Sequence, residues 1–164
     1  LAEPHDRPQA LQVFDEMKAA HTTDWQRQGE PGSFTTPFSD RMHRALIKAA
    51  YPEGGIQLLR IHAGERPFGW LYNFVHDGRV MSYQSGFDYS DNPKLKPGLV
   101  SHALAVQHNL ERGLKIYDFL AGDSQYKRML SNASTGMRWL VLRRDRVKFR
   151  VEELLRSVKQ FCMK

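Results

Sequence analysis

The run Lys96-Pro97-Gly98-Leu99-Val100-Ser101 joins a cation, a proline suited to the first position of a helix, and a glycine. A helix opening there presents backbone N–H groups at the positive end of the helix dipole. Residues 98 to 101 would then hold an anion such as a pyrophosphate, and Gly98 lets a ligand approach the backbone closely. Farther on, Gly122-Asp123 leads into Tyr126-Lys127. Tyr126 suits a general acid that protonates a leaving group, and Lys127 suits a contact to phosphate or carboxylate. Asp118 and Asp123 are acids in reach of the same region and are the available choices for a general base. Each group also has a plainer reading: an ordinary helix start, a half-buried tyrosine beside a surface lysine, a helix cap at Asp123. Tyr83-Gln84-Ser85-Gly86 ends a strand, and Gly86 there signals a bulge or the close approach of another backbone.

These groups need elements to place them. Pro8–Ala20 reads as a helix with Leu11, Phe14 and Met17 on one face. The polar stretch Thr22–Ser33, with Gly29, Pro31 and Gly32, reads as a loop. A second helix starts at the cap Ser39-Asp40 and runs to Ala50, with Met42, Leu46 and Ala49 or Ala50 as its apolar stripe. Ile56–Ala63, Pro67–His76 and Arg79–Phe87 read as strands. Asp77-Gly78 is a hairpin signal, so the three form an antiparallel meander. After the polar loop Asp88–Lys96, Gly98–Arg112 reads as a helix with Leu99, Ala103, Val106 and Leu110 on one face, ended by Gly113. Lys115–Leu120 is a strand, which makes a crossover unit and a parallel pair. Asp123–Leu130 is a short helix and Met137–Leu142 a further strand. A tail with Arg143, Arg144, Arg146, Lys148 and Arg150 leads into a helix bearing Val151, Leu154, Leu155 and Val158 on one face. The expected fold is α/β in the α+β sense. One domain spans 1–164, with a mixed, mostly antiparallel sheet, helices on both faces and a basic C-terminal helix over 145–164.

Several function classes are disfavoured. The sequence has no G-x-S-x-G elbow, P-loop, or G-x-G-x-x-G after a strand, which argues against serine hydrolases, P-loop nucleotidases and Rossmann dehydrogenases. Its seven histidines include no HExxH and no pair with a third partner at ligand spacing, so no metal is expected and most read as surface or boundary residues. The single cysteine, Cys162, excludes an internal disulfide and a CxxC site. No apolar run approaches the roughly 18–20 residues of a membrane span, and Leu1–Gln12 has no signal-peptide core, so a cytoplasmic setting is expected. A length of 164 residues fits one domain, and the net charge of +6 favours anionic partners. The basic tail suits RNA or an anionic membrane, or else docks its apolar face and leaves its charges in water.

Taken together, the order of elements resembles the GNAT acyltransferase fold. It is most similar to the acetyltransferase domains of cellulose- and exopolysaccharide-locus proteins, which are related to Fem-type aminoacyl transferases. The resemblance rests on His76–Val80, Tyr83–Asp88, Lys96–Leu104 and the run Glu111–Ser131, whose Gly-Asp-x-x-Tyr-Lys is the most specific part. It implies transfer of an acyl group, acetyl first among them, from acetyl-CoA or another acyl-CoA to an amine or hydroxyl of a small molecule or glycan precursor. The strands Arg79–Phe87 and Lys115–Leu120 would part, with pantetheine between them near Gln84 and Ser85. The pyrophosphate would lie on Lys96–Val100, and Tyr126 would protonate the leaving thiolate. Fem-like transfer from tRNA and a silent binding lobe are the alternatives. One glycine, Gly98, stands where the family usually has Gly-x-Gly or Gly-x-Ala, and no strand is legible before the first helix. Members of this subgroup have two lobes, so a second lobe or a homodimer partner would complete the acceptor cleft.

Overall fold

A computed structural model of the chain describes residues 1–89, 94–138, 140, 146, 147 and 149. Leu1–Asn132 form one compact unit and Ala133–Lys164 another, and every element below belongs to the first.

Helix α1 spans Arg7–Arg27, capped by Asp6, whose carboxylate accepts the Gln9 N–H at 2.8 Å. The expected helix stopped at Ala20. The structure carries it through Thr22–Arg27, and only the residues beyond are loop. The reason is visible in the buried face Ala10, Phe14, Met17 and His21. The helical spacing continues into the polar stretch, but through a histidine rather than an apolar residue.

Helix α2 spans Pro37–Ala50, and its cap is Thr36 rather than Ser39-Asp40. The Thr36 hydroxyl accepts the Ser39 N–H at 3.1 Å, with Pro37 at the first helical position. Its expected stripe is also turned. Met42 and Leu46 are each 38% exposed, while His43 and Ile47 are buried. His43 is drawn in by aromatic partners, with Phe34, Tyr72 and Tyr83 rings at 5.4, 5.6 and 5.4 Å.

The sheet has the order β1-β2-β3-β4, with β1 Ile56–Ala63, β2 Arg66–His76, β3 Arg79–Phe87 and β4 Ile116–Asp118. The first three form the expected antiparallel meander and β4 lies parallel to β3. Asp77 and Gly78 take φ of 46° and 71°, the doubly left-handed turn that matches strand twist in a tight hairpin. Ala2 pairs with Arg60 through two backbone bonds of 2.8 and 2.9 Å, occupying the outer edge of β1 where the sequence shows no strand.

Alternation along the strands sends Leu58 and Tyr72 to one face and Leu59 and Leu71 to the other. The first face packs under α1 and α2 around Phe14, Met17 and Ile47. On the second lies α3, Pro97–Glu111. Its expected apolar face Leu99, Ala103, Val106 and Leu110 is not the docked one: Leu110 is 70% exposed. The buried residues are Pro97, at its first position, and then Ser101, His102, Ala105 and Asn109. Two features of β1 and β2 dictate this. Gly69 leaves room for Ser101, whose Oγ would lie 2.1 Å from a Cβ at that position. Gln57 links Asn73 and Asn109 through buried amide bonds of 2.9 and 2.8 Å. Periodicity of apolar residues does not register a face that docks through amides.

Gly113, at φ 78°, ends α3 as expected. Helix α4 spans Gln125–Leu130. Of the expected strand Met137–Leu142, residues Met137, Arg138 and Leu140 are described and none is in a strand. The expected basic helix over 145–164, with its apolar residues Val151, Leu154, Leu155 and Val158, lies almost wholly outside the described residues.

Candidate active site

The sheet opens between β3 and β4. They pair only at Arg79–Ile116, Val80–Tyr117 and Met81–Asp118, and β3 then runs on from Ser82 to Phe87 without β4. Both strands contribute to the opening. On β4, the Asp118 carboxylate accepts the Leu120 N–H at 2.8 Å, and Leu120 sits at φ 57°. A leucine in the left-handed region costs on the order of 1–2 kcal/mol, and here it turns the chain out of the sheet. On β3, Tyr72 pairs with Gln84 and Asn73 with Ser82, which leaves Tyr83 as an extra residue. Such a bulge bends the strand. The glycine signal at Gly86 has its explanation in α1: a Cβ there would lie 2.4 Å from the Met17 carbonyl oxygen.

Two clefts meet at this opening. One, of about 290 Å³, lies between the end of α1, the unpaired part of β3 and residues 119–121. The other, of about 440 Å³, lies toward the start of α3 and is lined by Lys96, Gly98, Leu99 and His102. Ser85, Phe87, Tyr89 and Tyr126 line both. The Asp88 N–H bonds to the Phe68 carbonyl at 2.9 Å, so Asp88 faces β2. By the alternation of an antiparallel ladder, the main-chain groups of Ser85 and Phe87 turn to the opposite edge, toward the opening.

Most of the residues singled out in the sequence converge here. Tyr126 is half-buried and stacks on His102, with ring centres 5.0 Å apart and planes within 6°. Burial raises its pKa, opposed by a bond to Ser124, so its hydroxyl keeps its proton at neutral pH. Lys127 lines the first cleft and donates to the Ala121 carbonyl at 2.5 Å; burial lowers its pKa, with Asp118 opposing. Gln84 lines that cleft and donates to the Ser33 hydroxyl at 3.1 Å.

The start of α3 offers fewer donors than the sequence suggests. Pro97 has no N–H and is buried, and the Val100 N–H bonds to the Lys96 carbonyl at 3.0 Å. The first-turn donors that can face an anion are therefore those of Gly98 and Leu99. Ser101 turns toward the sheet, fully buried. Gly98 packs its backbone on the Phe87 ring, where a Cβ would lie 3.3 Å from the ring edge. The two acids stand elsewhere. Asp118 pairs with Arg79 at 2.8 Å and caps the Leu120 turn, and Asp123 pairs with Arg128 at 2.8 Å. Neither lines either cleft.

The sequence reading missed three cleft residues on the second half of α1 and one on α3. His21, Asp24 and Trp25 line the first cleft, and His102 the second. His21, His43 and His102 are buried, while the other four histidines are half-buried or exposed, as expected of most of them. Burial pushes the His102 pKa down to about 4, with Lys127 adding to the effect. The available signal was spacing: His21 continues the interval set by Ala10, Phe14 and Met17. Among the described residues no group of three His, Cys, Asp or Glu side chains could hold a metal ion, and no helix is long and apolar enough to cross a membrane.

A meander joined by a crossover helix to a fourth, parallel strand that parts from it defines the class of fold. The family model of the acetyltransferase (GNAT) domain matches residues 3–128. The chain therefore belongs to the GNAT acetyltransferase domain family. No curated protein and no solved structure matches it.

Proposed function

We propose that the chain transfers an acyl group from a coenzyme A thioester to an amine or hydroxyl. The observation that carries this reading is the convergence of both clefts on Ser85 and Tyr126 at the β3–β4 opening. The α3 side, with Lys96 and the Gly98 and Leu99 N–H groups, suits the pyrophosphate. The unpaired edge of β3 suits the pantetheine arm, which carries amides that can pair with strand backbone. The α1 side is left for the acceptor.

In the reaction the acceptor nitrogen or oxygen attacks the thioester carbonyl carbon. The Ser85 N–H donates to the carbonyl oxygen as charge develops there. The C–S bond then breaks, and the Tyr126 hydroxyl protonates the departing thiolate. The proton lost by the acceptor goes to Asp24, which is the carboxylate that lines the first cleft. Asp118 and Asp123 are left with their arginines and the turn they stabilise. Positioning supplies the rest of the rate.

The acceptor we favour for the first cleft, of about 290 Å³, is a small molecule or glycan precursor, in keeping with the polysaccharide-locus resemblance. The tRNA alternative depended on the basic tail, which lies almost wholly outside the described residues. The test is an assay of free coenzyme A release from acetyl-CoA over a panel of primary amines and alcohols. Acceptor-dependent release is expected. Release that no acceptor stimulates, or none at all, would refute transfer.

A further inference from the structure

Helix α1 reaches the opening through His21, just before the stretch that the sequence leaves as loop, and His21 is 3% exposed. Its Nδ1 lies 2.9 Å from the Ser85 carbonyl oxygen and its Nε2 lies 3.2 Å from the Ser33 nitrogen. A peptide N–H can only donate and a carbonyl can only accept. Nε2 is therefore the bare nitrogen, and Nδ1 carries the proton it gives to Ser85. Phe34 meets the ring edge-on at 5.2 Å and Trp25 lies at 5.6 Å. Gly32, at φ 74°, passes where a Cβ would come within 3.4 Å of the imidazole. The ring is thus fixed in rotamer and tautomer. With both nitrogens engaged it is not a free base.

The partner at the other end is Ser85, the residue at which the clefts meet. β4 has already left the sheet at this point, so no strand holds the outer edge of the Ser85 peptide. An unpaired strand carbonyl is free to turn toward a ligand or water. His21 takes that carbonyl, and the Ser85 N–H turns to the same edge.

We propose that His21 is a positioning residue: it ties α1 and Ser33 to the open edge of β3 and so aims the Ser85 N–H at the acyl carbonyl. This rests on the acyl-transfer reading above. Burial lowers the His21 pKa, with the Ser85 contact and Asp24 opposing, which agrees with a neutral ring at neutral pH.

Two measurements test it. Long-range nitrogen-15 NMR of labelled histidine reads the tautomer: Nδ1–H is expected at His21, and Nε2–H or a doubly protonated ring overturns the proposal. Kinetics read the role. His21→Phe keeps the ring packing and removes both hydrogen bonds. Its kcat should fall about tenfold while acyl-CoA affinity stays within about twofold. His21→Gln, which retains one donor and one acceptor, should recover most of that loss. An active wild type with unchanged kcat in His21→Phe sinks the positioning role alone, as does a Gln variant no better than Phe. A wild type that transfers no acyl group sinks the acyl-transfer reading and the role together.

Discussion

Tyr126 has the two properties a thiolate-protonating acid needs. It lines both clefts, and burial holds its pKa above the ordinary 10.0. Tyr126→Phe should lower kcat by about 10²–10³ with acyl-CoA affinity unchanged, measured by steady-state kinetics and calorimetry. The pH dependence carries the sign of an acid. Protonated tyrosine is present below its raised pKa, so the limb that Tyr126 contributes should be a fall in kcat on the alkaline side, above pH 10, and that limb should vanish in the Phe variant. At this scale the sequence was legible where chemistry shows in residue type. Tyr126, Lys127, Lys96 and Gly98 could be picked out that way, and the structure places all four at the clefts. His21 and Asp24 were not, because the polar composition around them reads as loop.

Elements were legible in order and type more than in facing. The meander and its hairpin follow from β-branched and aromatic runs broken by Asp77-Gly78. The docked face of α3 does not follow from apolar spacing, since its anchors are Ser101, His102 and Asn109. Chemical denaturation separates the two faces. Leu110→Gln should change stability by no more than about 0.5 kcal/mol. Asn109→Ala should cost about 1–3 kcal/mol, because it removes two buried hydrogen bonds to the Gln57 amide.

The same helix makes stability depend on acid. His102 binds its proton more weakly folded, at a pKa of about 4, than unfolded, at 6.5. Between those values the unfolded chain holds more protons, so stability falls as pH drops from 6.5 toward 4. The full effect is on the order of 3 kcal/mol. Thermal melts should show Tm declining across that window and declining less in His102→Gln.

At the scale of the whole molecule, a three-residue β4, a bulge at Tyr83 and a left-handed Leu120 together open the sheet. The parting of β3 from β4 came from family resemblance. Nothing in the local pattern of Lys115–Leu120 shows that Asp118 ends the strand by capturing a backbone N–H. The central claim is that this opening receives an acyl-CoA. Backbone amide NMR during a titration with acetyl-CoA tests it most directly. The predicted result is saturable shifts concentrated on Ser82–Phe87, Phe119–Ala121 and the Gly98 and Leu99 amides. No shifts at millimolar ligand, or shifts that spare the β3 edge, would contradict it.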